Sequence, residues 1–122
     1  MRVIENEVMS DKMDEMLEHM IENYNSWSRA GKSGSDEIKT EMEKDFADGL
    51  VYEYGSKYIK VISGKRGSSY VCAFVVNTDR DKKFRFGDIL KPAGWAAPAR
   101  NFARGNVFEE NGFSCVRWTG AY

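Results

Sequence analysis

The sequence predicts an α+β fold, in which N-terminal helices pack on a small, mostly antiparallel sheet of about five strands. Over residues 10–48 the apolar side chains recur every three or four positions, which is the period of an amphipathic helix. After residue 50 the period changes to two, and Val, Ile, Tyr and Phe become frequent. A chain of 122 residues has the length of one domain. We therefore expect a single domain over 1–122, helical at 10–48 and β-rich at 50–122.

The first predicted helix begins at Ser10, a natural N-cap, and ends at Gly31. One face of this helix is apolar and rich in methionine: Met13, Met16, Leu17, Met20, Ile21, Tyr24 and Trp27. Methionine side chains adapt to irregular partners. The stripe therefore packs either on the sheet of its own chain or on a neighbouring subunit, and the sequence leaves both options open.

A second, shorter helix is expected to follow Ser35 and to end at Gly49. Ile38, Met42 and Phe46 share one face of it. The link between the helices, "SRAGKSGSDE", is the one plausible hinge, and its glycines are typical of a helix–helix turn. We therefore assign both helices to the same domain as the sheet.

Five strand-like segments follow, separated by turn signals such as "YGS", "GKRG", "TDRDK" and "EENG". In order they read "LVYEY", "KYIKVIS", "SSYVCAFVVN", "KFRFGDI" and "FSCVRWTG". Tight turns between short strands favour an antiparallel sheet with the helices on one face. The long connection before the last segment, "GDILKPAGWAAPARNFARGN", contains both prolines of the chain.

Composition predicts a cytoplasmic protein. No apolar run approaches the roughly 20 residues that cross a bilayer. The start "MRVIENEVMSDK" is too acidic for a signal peptide. Cys72 and Cys115 are too few for a disulfide framework, so we expect both to be reduced, buried and packed as small apolar residues.

Charge is divided unevenly along the chain. Residues 1–48 carry 13 acidic and 6 basic side chains, whereas residues 49–122 carry 6 acidic and 12 basic ones. The second part also holds 13 of the 16 aromatic residues, and basic plus aromatic surfaces are typical of sites that receive phosphates and flat bases. The plainer interpretation is that the two parts neutralise one another, within a chain or between chains.

The sequence argues against an enzyme. His19 is the only histidine, and it shares a predicted helix with Glu15 and Glu22. Two carboxylates and one imidazole at helical spacing occur often by chance, so a solvated helix face is favoured over a metal site. No candidate nucleophile lies near His19 in sequence. We expect no catalytic group, no metal and no cofactor.

The long connection is the best candidate for a ligand site. Pro98 suits the first position of a short helix and Gly105 suits its end. A helix over 98–104 would place Arg100 and Arg104 on one side, because they are four residues apart. With Trp95 before them and Asn106 after them, the two guanidinium groups form a set that grips phosphate oxygens beside a stacking ring. The alternative is that Trp95 fills the core and the arginines pair with the acidic helices.

Five motifs resemble a widespread group of small bacteriophage proteins that includes the first-described Thoeris anti-defence sponges. They are "KYIKVI", "VCAFVV", "GDILKPAGW", "APARNFARGN" and "VRWTG", and the resemblance covers about residues 57–119. It implies N-terminal helices with a small C-terminal sheet. It also implies a non-enzymatic protein of the host cytoplasm that sequesters immune signalling nucleotides, either cyclic ADP-ribose derivatives or cyclic oligonucleotides, at subunit contacts in dimers or hexamers.

Carried over by position, the resemblance implies that Phe74 stacks on the adenine and Arg104 holds the pyrophosphate, with Arg100 and Lys91 in the same basic run. Two departures stand out. Cys72 occupies a position where the family has histidine, and the turn "NTDRDKKFRF" is longer than its counterpart. Two other functions stay open: a nucleic-acid-binding accessory protein using a basic aromatic sheet, and a protein–protein inhibitor acting through the methionine-rich helix.

Overall fold

A computed structural model describes residues 7–30, 36–64 and 69–121 of the chain. It contains two long helices, a main sheet of five strands and a small two-stranded sheet near the C-terminus. The elements are α1 (Glu7–Ala30), α2 (Asp36–Gly49), β1 (Val51–Tyr54), β2 (Tyr58–Ser63), β3 (Tyr70–Val76), β4 (Asp88–Leu90), β5 (Gly105–Asn106), a 3₁₀ turn (Gly112–Cys115), β6 (Val116–Arg117) and β7 (Gly120–Ala121).

The main sheet confirms the predicted α+β fold. Its strands lie in the order β1-β2-β3-β4-β5, and every neighbouring pair is antiparallel. Each strand therefore pairs with the one that follows it in the chain, which is the commonest arrangement of sequential strands. A β-bulge between Val61 and Ile62 of β2 shifts the register against β3. The bulge leaves Cys72 without a direct partner in the register, and its side chain packs in the core beside α1.

One face of the sheet is covered by α1. Met9, Met13, Met16 and Met20 are each 0% exposed, and they pack in one core with residues of β2, β3 and β4. On β2, strand alternation directs Ile59 and Val61 towards the helix. On β3, the bulge places Cys72 in this core beside Ala73. The methionine-rich stripe therefore packs on the sheet of its own chain, which resolves the choice that the sequence left open.

The opposite face of the sheet is covered by residues 91–104, which we call the crossover. Phe74, Val76 and Leu90 form a second core on this face, together with Phe84. Tyr58 and Ala103, the latter from the crossover, pack against its border. The sheet is thus buried on both faces, by helices on one side and by a segment without regular structure on the other.

Three predicted elements are wrong, at least in part. Of the predicted strand "KFRFGDI", only the last two residues belong to β4, and residues 83–87 lie in turns and irregular structure. Residues 98–104 form no helix: Pro98 instead makes an isolated β-bridge with Pro92. The segment "FSCVRWTG" is not the fifth strand of the main sheet, because Gly105–Asn106 takes that position and Val116–Arg117 pairs only with Gly120–Ala121. The glycine at 105 is required there, since a Cβ would lie 2.6 Å from the Gly112 carbonyl oxygen.

The helix boundaries also differ in part from those expected. α1 already includes Glu7, so Ser10 lies inside the helix and its hydroxyl contacts the Tyr52 hydroxyl at 3.5 Å instead of capping. α2 ends at Gly49 as predicted. The proposed stop at Gly31, the turn at Gly34, the cap at Ser35 and the "GKRG" residues Lys65 to Gly67 lie outside the described residues.

Both cysteines are free, as predicted, and Cys72 is fully buried while Cys115 is half-buried. Burial raises the pKa of the Cys72 thiol to about 12, despite an opposing hydrogen bond from Ser63. The thiol is therefore protonated at neutral pH and packs as a small apolar group. Neither helix of the described residues has the length and apolar character needed to cross a bilayer.

Replacing Met16 by Ala is expected to lower the free energy of unfolding by about 2–5 kcal/mol, because it opens a cavity between α1 and the sheet. Val8→Ala, on the same helix but 59% exposed, is the matched control and should change it by less than about 0.5 kcal/mol. Urea unfolding measures both. A loss for Met16→Ala that varied with protein concentration would instead place the stripe at a subunit contact.

Candidate functional site

Backbone hydrogen bonds join the two limbs of the crossover to each other and join its C-terminal end to the sheet. The Ala99 N–H donates to the Lys91 carbonyl at 2.7 Å, and the Arg104 N–H donates to the Ile89 carbonyl at 2.7 Å. Between these points the Ala93 N–H donates to the Ala97 carbonyl at 3.0 Å. Pro92 and Pro98 lie opposite each other in this arrangement, because their fixed φ suits extended backbone and the N–H donors come from Ala93 and Ala99. The segment is therefore a folded loop in a defined position.

Arg100 is engaged by a carboxylate of its own chain. Its Nη2 donates to Asp81 Oδ1 at 3.0 Å, its Nη1 donates to the Tyr58 hydroxyl, and its guanidinium carbon lies 4.8 Å from the centre of the Phe84 ring. The Asp81 side chain is 0% exposed and also lies 2.8 Å from Lys57 Nζ. Arg100 thus fastens the crossover to the loop before β4, which is a structural role.

Asp81 is the centre of this junction. Burial alone would raise the pKa of its carboxyl, but hydrogen bonds from Arg100, from Lys57 and from the backbone N–H groups of Phe84 and Lys83 lower it well below the usual range. Those two N–H groups lie 2.9 and 2.8 Å from Oδ1. The carboxylate therefore stays charged at neutral pH and orders its own turn as well as its two cationic partners.

Arg104 lies in a different place, beside an open cavity. Its guanidinium carbon is 3.8 Å from the centre of the Phe102 ring, and its Nη2 donates to Asn101 Oδ1 at 3.3 Å. Its Nε is buried and has no hydrogen-bond partner in the part of the chain that the structure describes. A guanidinium stacked on a ring, with unused donors, is prepared to receive an anion.

The cavity next to Arg104 has a volume of about 400 Å³, and we call it the crossover cavity. Lys83 and Arg85 line it together with Arg104, and its walls include the Phe84 and Phe102 rings. Two carboxylates, Asp88 and Glu109, complete the lining, together with Asn101, Ala103 and Gly105. Three cationic and two anionic side chains leave an excess of positive charge at its opening.

The two carboxylates of the crossover cavity are both engaged by Arg85. Its Nη2 donates to Glu109 Oε1 and lies 3.5 Å from Asp88 Oδ1. Asp88 is almost fully buried and also accepts hydrogen bonds from the Arg85 N–H at 2.8 Å and from Asn106 Nδ2 at 2.9 Å. Because both carboxylates are already paired, neither is placed to act as a free general base.

The structure separates the other predicted site residues from this cavity. Phe74 is only 2% exposed and lies edge-on to Tyr58, so its face is not available to stack on a base. Asn106 is 4% exposed, and its side chain bonds to the Phe86 carbonyl, to Asp88 and to the Phe108 N–H. Asn106 supports the fold around the site, whereas Phe74 lies in the lining of a separate cavity of about 190 Å³, together with Tyr58 and Lys60.

Trp95 and Lys91 lie outside the crossover cavity. Trp95 is 54% exposed, and the Lys60 ammonium is 4.9 Å from the centre of its ring and 5.9 Å from that of Phe74. Lys91 is exposed at the start of the crossover. Trp95 is therefore neither a core plug nor the stacking partner of Arg104. Of the six predicted residues, only Arg104 lines the crossover cavity.

The structure adds three cavity residues that the sequence argument did not select: Lys83, Arg85 and Phe102. A usable signal was present in "KFRF", where the alternation puts Lys83 and Arg85 on one side and Phe84 on the other. Phe84 is indeed buried while both cations are exposed. Their predicted place in the fourth strand, next to a turn that is longer than in the resembling phage proteins, gave no reason to select them as ligand residues.

His19 has a structural role. Its Nε2 lies 2.8 Å from the Val116 carbonyl oxygen, and its ring is 5.7 Å from the Phe113 ring, so it links α1 to the C-terminal sheet. The expected fully solvated helix face is therefore wrong at this residue. Within the described ranges, no three His, Cys, Asp or Glu side chains are grouped closely enough to hold a metal ion.

These features define a class: a single α+β layer structure with two helices on one face of an antiparallel five-stranded sheet and a basic cavity beside the covering of the other face. The chain belongs to a family of unknown function (DUF7717), whose sequence profile matches residues 3–122. Searches of curated proteins and of solved structures found no match.

Replacing Asp81 by Asn is expected to lower the free energy of unfolding by about 2–3 kcal/mol at pH 7, since two cations and two N–H groups lose a charged acceptor. The folded-state pKa is depressed, so this stabilisation is complete above the ordinary carboxyl pKa of about 4 and is lost as pH falls below it.

Urea unfolding of both proteins at pH 7 and pH 3 provides the measurement, with the exposed Asp79→Asn as control. The difference between wild type and Asp81→Asn should be largest at pH 7 and smaller at pH 3. A difference that grew on acidification would contradict the depressed pKa.

Proposed function

We propose that this protein binds a small phosphorylated, ring-containing molecule of the signalling-nucleotide class in the crossover cavity and sequesters it without cleavage. The observation that carries the proposal is Arg104, stacked on Phe102 with a buried Nε that has no partner among the described residues. A planar guanidinium binds phosphate oxygens in pairs, and its fork is already oriented by the ring beneath it.

The size and lining of the cavity support this ligand class. A volume of about 400 Å³ lies within the usual range for small-molecule sites. Lys83 adds positive charge to the lining beside Arg104, whereas Arg85 is paired with Glu109 and Asp88. The 54% exposed Phe102 ring offers an apolar surface to a planar group. Phosphate and ring recognition are thus combined in one concavity of nucleotide size.

Sequestration also fits the chemistry of the cavity. Holding a nucleotide requires tight binding and slow release, and it requires no proton transfer. The cavity carboxylates, Asp88 and Glu109, are both held by Arg85. The resemblance to the Thoeris anti-defence sponges points in the same direction, with cyclic ADP-ribose derivatives or cyclic oligonucleotides as ligands and the cytoplasm of an infected host as the setting.

The long turn before β4 separates this protein from those phage proteins in one respect. It supplies Lys83 and Arg85, two of the three cations of the crossover cavity, and Asp81, which fixes the crossover through Arg100. The buried Phe74 does not present a stacking face in this chain. We therefore propose a ligand of the same chemical class that is held through Arg104 and Phe102.

Purified protein is incubated with cyclic ADP-ribose derivatives and cyclic oligonucleotides, filtered, and heated to release what it holds. The expected result is depletion of one ligand from the filtrate and recovery of the intact nucleotide on heating. Arg104→Ala should weaken binding roughly 10- to 100-fold, the loss of about 1.5–3 kcal/mol from a charge-assisted contact. Arg80→Ala, a 69% exposed arginine outside the cavity, is the matched control.

Each outcome discriminates between functions. No depletion of any nucleotide contradicts the proposal, and a chemically altered nucleotide would identify an enzyme. Binding of nucleic acid that falls steeply with rising salt, and is indifferent to Arg104→Ala, would favour the nucleic-acid-binding alternative. Sedimentation of the free and ligand-bound protein measures the homo-oligomer, a dimer or hexamer, that the resemblance implies.

A further inference from the structure

A second concave surface lies between α2 and the strands β2 and β3, and it shares no residue with the crossover cavity. Its cavity of about 270 Å³ is lined by Tyr24, Met42, Phe46 and Tyr70, together with Asp45, Ser63 and Gly64. We call this cavity, with the flanking side chains Trp27 and Ile38, the helical groove.

Two lining residues of the helical groove, Tyr24 and Phe46, belong to an aromatic cluster that extends beneath it. The Tyr24 and Phe46 rings are stacked with their centres 4.4 Å apart, and Trp118 lies edge-on to Tyr24 at 5.1 Å. Trp27 continues the cluster at 4.9 Å from Trp118. The buried Tyr24 anchors the group to the core, since it is 6% exposed.

The rim of the groove is apolar and exposed. Trp27 and Ile38 are each 54% exposed, Met42 is 45% exposed and Tyr70 is 40% exposed. Ile38 and Met42 are one turn apart on α2, so the helix presents an apolar ridge that its own sheet does not cover. A contiguous apolar surface that extends beyond a small cavity indicates a macromolecular partner.

The charge around the ridge specifies the kind of partner. α2 carries six acidic and two basic side chains over its 14 residues, and α1 carries six acidic and two basic ones. Glu41 precedes Met42 directly, and Asp45 lines the cavity one turn later. An apolar ridge containing methionine within an acidic surface is complementary to a basic amphipathic helix.

We infer that the helical groove docks a basic amphipathic helical segment of a partner protein, with apolar anchors over Met42 and Trp27 and lysine or arginine towards the acidic helices. A second copy of this chain is a poorer fit. Three of its described cations are already paired within their own chain, since Lys57 and Arg100 contact Asp81 and Arg85 contacts Glu109, whereas a basic amphipathic helix presents all of its cations along one face.

The test uses the full chain and a fluorescently labelled synthetic peptide of about 18 residues, made of leucine, phenylalanine, alanine and lysine with a net charge of about +5. Its apolar residues share one helical face. A scrambled peptide of the same composition and a peptide with every lysine replaced by glutamate are the controls. Fluorescence anisotropy measures binding, and circular dichroism measures the helix formed by the peptide.

We expect the amphipathic basic peptide to bind with a Kd of about 1–10 μM and both control peptides to bind at least about tenfold more weakly. Met42→Asp should weaken binding about tenfold or more, and Trp27→Ala should do so as well. Val8→Asp is the matched control, because Val8 is a 59% exposed apolar residue on α1, about 28 Å along the helix from Trp27. Unchanged circular dichroism and melting temperature verify that each variant is folded.

Any of these results would overturn the inference: no binding of the basic peptide, equal binding of the scrambled peptide, or binding indifferent to both Met42→Asp and Trp27→Ala. A dimer in sedimentation that Met42→Asp dissociates would assign the groove to a second copy and would also overturn it. Arg104→Ala should leave peptide binding unchanged, so this test is independent of the nucleotide proposal.

Discussion

The Asp81 carboxylate joins the three segments from which the candidate site is built. It accepts hydrogen bonds within its own turn, contacts Lys57 at the turn between β1 and β2, and pairs with Arg100 of the crossover. Since the turn carries Lys83 and the crossover carries Arg104, this junction sets the distance between two cations of the cavity. The buried Asp81 carboxylate lies outside the crossover cavity, yet it positions two of the cations that line the cavity.

The two coverings of the sheet differ in how they are held. α1 is attached by four fully buried methionines, an apolar contact that has no preferred direction. The crossover is attached by the hydrogen bond from the Arg104 N–H to the Ile89 carbonyl and by the Arg100–Asp81 pair, and its own two limbs are joined by the Pro92–Pro98 bridge. All of these contacts are directional. Burial of α1 stabilises the molecule without specifying a site, whereas the directional contacts place Arg104 beside Phe102.

Local patterns in the sequence predicted the elements but not their partners. The helices, the first three strands and the reduced state of both cysteines follow from periodicity and composition, and these predictions are confirmed. The helix at 98–104 was wrong because Pro98 lies opposite Pro92 in a β-bridge whose hydrogen bonds are donated by Ala93 and Ala99, a contact that helix-start signals do not encode. Arg100 and Arg104 look equivalent in sequence, yet within the described part of the chain only Arg100 meets a carboxylate, which lies 19 residues earlier. Phe74 lies on the face of the sheet that the crossover covers. Strand alternation shows which residues share a face, but it does not show which segment will cover that face.

The division of charge along the chain acquires a structural meaning. Ion pairs link Arg29 to Glu43 within the helices, and Lys57 and Arg100 to Asp81 within the sheet part. These pairs satisfy charges inside each part and do not join one part to the other. The acidic character of the helices and the positive character of the crossover cavity therefore belong to two separate surfaces. A single small domain with such surfaces has the means to hold an anion at one site and a basic partner at the other, and the sheet between them keeps the two sites chemically distinct.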